Sequence, residues 1–124
     1  MLACTDPHEA YRRSEIDARI EGGAAPSDLV RLCYEQVIGG LGLAIIASER
    51  KDPAARSKAL ARALSAVTAL EMGVDRSAPL ADALLQLYGA ARKAILDCVV
   101  SFDAKLLGQV RQDFVEVARA LESA

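Results

Sequence analysis

The sequence predicts an all-α protein: an antiparallel up-down four-helix bundle with a short additional N-terminal helix or arm. Three observations lead there. Apolar residues make up 52% of the 124 positions but aromatic ones only 4%, and alanine dominates the apolar set. That balance suits closely packed helices, whereas strands draw on β-branched and aromatic side chains. Apolar residues also recur at helical spacing in four segments of similar length. Short links join these segments, and short links make successive helices antiparallel neighbours. The length fits a single domain over 1–124, with an arm over 1–23 and the bundle over 26–122, and it suffices to bury a core without metals or disulfides.

Each element has its own signal. Asp6-Pro7-His8-Glu9 reads as a helix start, with Asp6 as cap, Pro7 in the first helical position and Glu9 completing a capping box. The short polar helix that follows offers only Tyr11, Ile16, Ala18 and Ile20 for burial, and Glu21-Gly22-Gly23 ends it. Pro26-Ser27-Asp28 opens the first bundle helix, which runs to about 48–51. Asp52 caps the next and Pro53 takes its first turn; a stripe of Ala63, Leu64, Val67 and Leu70 faces the core, and Gly73 stops it. Ser77-Ala78-Pro79 opens the third, with Leu80, Leu84, Leu87, Tyr88, Ala91, Ile95, Cys98 and Val99 on one face. No glycine or proline marks the following turn. An unbroken helix there would exceed about 40 residues, roughly 60 Å at 1.5 Å per residue, and its neighbours could not cover it. The chain is therefore expected to break near Ser101, which can cap a last helix presenting Leu107, Val110, Phe114, Val115, Ala118 and Leu121.

Little in the chain supports catalysis. His8 is the only histidine, so the paired histidines of zinc proteases and the Glu-x-x-His pairs of di-iron bundles are missing. Cys4, Cys33 and Cys98 are odd in number and widely spaced, which reads as reduced thiols, two of them in the core. The three glycines of 39–42 follow no strand and precede no Lys-Ser or Lys-Thr pair, so they are not a phosphate loop. The formal net charge is −2 and the basic residues are dispersed, which argues against nucleic acid. The N-terminus has no apolar core of a signal peptide, and charges interrupt the apolar runs, so no membrane span is expected. The expectation is a non-enzyme with no cofactor and no metal.

The first bundle helix raises a different question. On a helical wheel Val30, Cys33, Tyr34, Val37, Ile38, Leu41, Ala44 and Ile45 share one arc, an ordinary core stripe. Leu29, Leu32, Leu43 and Ile46 lie on the other side, with Gly39 among them. This second apolar stripe either packs under the N-terminal segment or a loop, or lines a groove for an apolar partner segment, or is buried in a homodimer. Each glycine costs a helix about 0.5–1 kcal/mol relative to alanine, so Gly39, Gly40 and Gly42 call for close approach by another backbone or for a softened helix. The third bundle helix likewise carries Leu85, Leu96 and Val100 outside its core face.

The segment "AYRRSEIDARIEGGAAPSDLVRLCYEQVIGGLGLAI" resembles the opening of the flagellar secretion chaperone family FliS. The matching positions are Ala10-Tyr11 in the N-terminal segment, Pro26 and Leu29 at the helix start, then Leu32, Tyr34, Val37, Ile38 and Leu41. Further on, "LLQLYGAARKAI" resembles the family's Leu-x-x-Leu-Tyr segment through Leu84, Leu87 and Tyr88. The resemblance runs in order over about residues 9 to 120. It departs at Ala25, where the family has Ser or Thr; at Gln36-Val37, where it has a Gly-Ala step; and at Cys33, where it has a bulkier apolar residue.

The resemblance implies a cytoplasmic four-helix chaperone that binds the disordered C-terminal segment of flagellin. By that likeness the protein prevents premature polymerisation and presents the subunit to the flagellar type III export apparatus. It also implies contacts with an export-gate protein and regulatory co-chaperones, and a regulatory role for Tyr11. Taken with the wheel, the expected partner-binding residues are Tyr11, Leu29, Leu32, Leu43, Ile46, Leu85 and Leu96, on a chain that is a monomer or weak dimer when free. The alternative is a helical oligomerisation module that buries the second stripe in a homodimer.

Overall fold

The computed structural model describes residues 26–123. These form four helices, α1 (Pro26–Glu49), α2 (Pro53–Met72), α3 (Ala81–Val100) and α4 (Ala104–Ser123), with no strand among the described residues. The expected N-terminal helix, with Tyr11 and His8, and the third thiol, Cys4, lie outside them. Contacts divide the chain into Met1–Arg31, which contributes the opening of α1, and Leu32–Ala124, which holds the bundle packing.

Local chemistry accounts for most of the boundaries. α1 ends in a Schellman motif: the Asp52 N–H donates to the Ala47 carbonyl at 2.9 Å and the Lys51 N–H to the Ser48 carbonyl at 3.1 Å. The residue that turns the chain is Lys51, with φ of 56°, where glycine is usual. Asp52 then caps α2, its carboxylate accepting from the Ala55 N–H at 3.1 Å, and Pro53 opens the helix as expected. Gly73 ends α2 in a right-handed conformation, its N–H shared between the carbonyls of Ala69 and Leu70.

Two boundaries differ from the sequence expectation. Ser77 does not open α3. Its N–H and hydroxyl bind the Asp75 carboxylate at 3.0 and 2.6 Å, closing a turn and holding that carboxyl below the usual carboxylate range. α3 starts four residues later, leaving Leu80 before the helix and exposed. The break after α3 does fall at Ser101, but Ser101 is extended and terminates α3. Asp103 caps α4 instead, its carboxylate accepting from the Leu106 N–H at 3.1 Å.

The pairings establish antiparallel neighbours. From Gln36 to Gly40 along α1, the facing positions on α2 fall from Arg62 to Ala59. From Tyr34 to Gly42, those on α4 fall from Phe114 to Arg111. The start of α2 meets the end of α3, with the Arg56 guanidinium 5.2 Å from the Phe102 ring centre. Val37, Leu41, Val67, Ile95, Leu107 and Phe114 fill the core, each completely or almost completely buried and worth roughly 1.5–3 kcal/mol. Cys33 and Cys98 are free and buried in the same core.

By length and composition α1 is also apolar enough, over Asp28–Glu49, to cross a membrane, although Asp28, Arg31 and Glu35 interrupt its first half. In the fold, that stretch packs its inner face against the other three helices.

Candidate partner-binding surface

The site begins with what holds α1 in place. Tyr34 on α1 and Tyr88 on α3 share a buried hydroxyl–hydroxyl hydrogen bond of 2.8 Å. Phe114 of α4 completes the cluster, its ring centre 5.3 Å from Tyr34 and 6.0 Å from Tyr88. Burial pushes both phenols and the adjacent Cys33 thiol above their ordinary pKa values, so all three stay protonated. Three helices are thus tied by one aromatic cluster, and the rotation of α1 is set.

With that face inward, the second stripe of α1 points out. Leu43 is 48% exposed and Ile46 44%, while Leu32, Gly39 and Gly42 are half-buried along the same side. The glycines serve different ends. A side chain on Gly40 would come within 3.0 Å of the Ala59 carbonyl oxygen and 3.1 Å of the Ala63 Cβ, so Gly40 is what lets α1 and α2 approach closely. At Gly39 and Gly42 the neighbours are arginines: Arg62 Nη2 lies 3.7 Å and Arg111 Nε 3.2 Å from where a Cβ would stand. Arg62 reaches across from α2 and donates to Gln36 Oε1 at 2.6 Å. Arg111 reaches from α4 and donates to the Ile38 carbonyl at 3.2 Å.

On α3, Leu96 is 48% exposed, Val99 and Val100 more so, and Leu85 is half-buried. Arg92 on this side pairs with Glu71 of α2 at 2.7 Å. The two apolar ridges therefore flank α2 from opposite sides, and between them α2 presents exposed Ala61, Ser65 and Thr68. The face of α2 between these two leucine-bearing sides is termed the saddle. Among the described residues no group of three His, Cys, Asp or Glu is placed to hold a metal ion.

An all-helical bundle with a spare apolar face on its first helix fits the family the sequence resembles, and the match is nearly full length. Residues 7–124 match the family described as "Flagellar protein FliS". The chain belongs to the FliS family. FliS proteins are export chaperones of the flagellum, with flagellin as their partner, and are not known as enzymes. No curated protein matches the chain.

For this FliS chain, the fold brings Leu32, Leu43 and Ile46 onto one outward face and sets Leu85 and Leu96 on a second ridge beyond α2. Leu29 is half-buried and belongs to the first unit. Arg62 and Arg111 were not expected at the site. The glycines were the only signal for them, since a helix thinned at 39–42 leaves room for a neighbour's side chain. Leu80, Val99 and Leu121, expected on core faces, are exposed, Leu80 because it stands before α3 begins.

Proposed function

We propose that this FliS-family chain is a cytoplasmic chaperone that receives the disordered C-terminal segment of flagellin on the saddle around α2. The unpartnered stripe of Leu43 and Ile46, on a helix whose other face is fully engaged in the core, is the observation that carries this reading. Leu32 extends the stripe, Leu85 and Leu96 form the opposite ridge, and Leu29 and Tyr11 are further contact positions. Ordering a disordered segment costs about 2–5 kcal/mol, so two ridges serve better than one. Apolar positions of flagellin held here are withdrawn from self-association until the subunit reaches the type III export apparatus. Export-gate and regulatory co-chaperone contacts then use surfaces outside the saddle.

The test is titration calorimetry against the C-terminal segment of the host's own flagellin, with circular dichroism on the mixture. One-to-one saturable binding, a gain in helicity and a negative heat-capacity change are expected. Leu43→Glu should abolish that binding and leave the free chain's helicity unchanged. Absence of binding by the unaltered chain, with a dimer on sizing, would assign the stripe to self-association instead.

A further inference from the structure

The outward stripe of α1 is not purely apolar in its setting. It is bracketed by two guanidinium groups, Arg62 in the seam with α2 and Arg111 in the seam with α4. Both overlie glycines, Gly39 and Gly42, midway between Leu32 and Ile46. Helix positions three residues apart have Cβ atoms about 5–6 Å apart, so the two groups lie within about 14 Å of each other. Neither makes an ion pair among the described residues: the two pairs there are Arg92 with Glu71 and Lys93 with Asp97. Each uses its Nε on a neutral acceptor, the Gln36 amide or the Ile38 carbonyl, leaving terminal nitrogens for a ligand. The charge around them is mainly basic, with exposed Glu35, one turn before Gly39, the acidic residue on the stripe. From Pro53 to Leu70, α2 carries Arg56, Lys58 and Arg62 and no acidic residue, and from Gln36 to Ser48, α1 carries no charge. Lys58 stands one turn from Arg62 on α2, toward the Leu43 end of the stripe by the antiparallel register. In a chain of net charge −2, this face sets Arg62, Arg111 and Lys58 against Glu35 and is basic on balance.

We infer that Arg62 and Arg111 are specificity determinants of the binding surface, reading acidic side chains of the bound flagellin segment. The inference rests on the chaperone reading above. Acidic residues set between apolar residues of the ligand meet Arg62 on the α2 flank of the stripe and Arg111 on its α4 flank, while the apolar residues cover Leu32 on one side and Leu43 and Ile46 on the other. A guanidinium already held through its Nε loses little freedom on pairing, and charge-assisted bonds are about twice as strong as neutral ones. The apolar ridges then supply affinity, and the arginines supply register and partner choice.

The test uses the full chain and two forms of the host flagellin's C-terminal segment: native, and with its Asp and Glu residues changed to Asn and Gln. Arg62→Gln, Arg111→Gln and Arg111→Lys are compared with the unaltered chain by calorimetry at low and high salt, after thermal melts confirm folding. Amidation of the segment should weaken binding by the unaltered chain about fivefold, an effect that shrinks with salt. Arg62→Gln should cost a similar factor with the native segment and nothing with the amidated one, and Arg111→Lys should retain most of the binding lost in Arg111→Gln. Equal binding of both segments by every variant, with Leu43→Glu still abolishing it, would overturn the arginine reading and leave the chaperone reading standing. No binding of the native segment by the unaltered chain would overturn both.

Discussion

Tyr34 and Tyr88 show how one pair of hydroxyl groups fixes an orientation. Each buried hydroxyl has the other as its partner, and no buried side-chain polar atom among the described residues is left without one. Removing one hydroxyl strands the other in the core, whereas removing both strands nothing. Tyr34→Phe and Tyr88→Phe should each lower stability by about 1–3 kcal/mol in urea denaturation, and the double variant should recover most of that loss. Additive losses would show that the hydroxyls act independently. Gly40 sits under a different constraint. A methyl group there meets the Ala59 carbonyl at 3.0 Å, and backbone cannot step aside as a side chain can. Gly40→Ala should therefore lower the melting temperature despite alanine's better helix propensity, with overpacking costing about 1–3 kcal/mol.

At the scale of the element, the informative cases are those where a local signal was weak or misplaced. Gly108 in α4 has nothing within 4 Å of an added Cβ, so Gly108→Ala should stabilise the helix by about 0.5–1 kcal/mol. The same assay that reads a loss at Gly40 should read a gain here. Lys51 occupies the left-handed position of the α1 Schellman motif at φ 56°, where a side chain costs roughly 1–2 kcal/mol. Lys51→Gly should raise the midpoint of urea unfolding, and a fall would mean that the lysine side chain contributes something its backbone does not show. The turn carried no glycine, so the end of α1 was legible only to within a few residues. The start of α3 was misread for a related reason. Ser77 has the chemistry of a cap, but Asp75, two residues earlier, captures its N–H and hydroxyl first.

For the whole molecule, the aromatic cluster links the fold to pH. Tyr34, Tyr88 and Cys33 all have raised pKa values in the folded state, because burial disfavours their anions. A group whose folded pKa is raised contributes stability that is fully present below its unfolded value and lost as pH climbs beyond it. The unfolded values are about 8.5 for a thiol and about 10 for a phenol, so stability should be flat through neutrality with respect to these groups and fall above about pH 9. Because the cluster joins α1, α3 and α4, the loss should appear in alkaline melts as one cooperative transition. Tyr34→Phe/Tyr88→Phe should move its onset to higher pH. An unchanged onset would place the alkaline weakness elsewhere.

The fold class, the four helices, the Asp52-Pro53 start, the break at Ser101 and the family were legible in the residues alone. These depend on period, capping chemistry and motif order, which are written locally. The sequence also separated the inner stripe of α1, with Tyr34, Val37 and Leu41, from the outer one, with Leu43 and Ile46, because a helical wheel gives angle. What it could not give is which positions of a stripe the neighbouring helices cover. Val99 and Leu121 share the angle of core residues and yet are exposed, and Leu80 stands before α3 begins. Nor could it say which helix stands beside which seam. Only the tertiary structure placed α2 between the two leucine ridges, assigned Gly40 to close packing, and brought Arg62 and Arg111 from distant parts of the chain over Gly39 and Gly42. Those neighbours are separated by more than a helix of sequence, and only the packing of the core decides which of them meet.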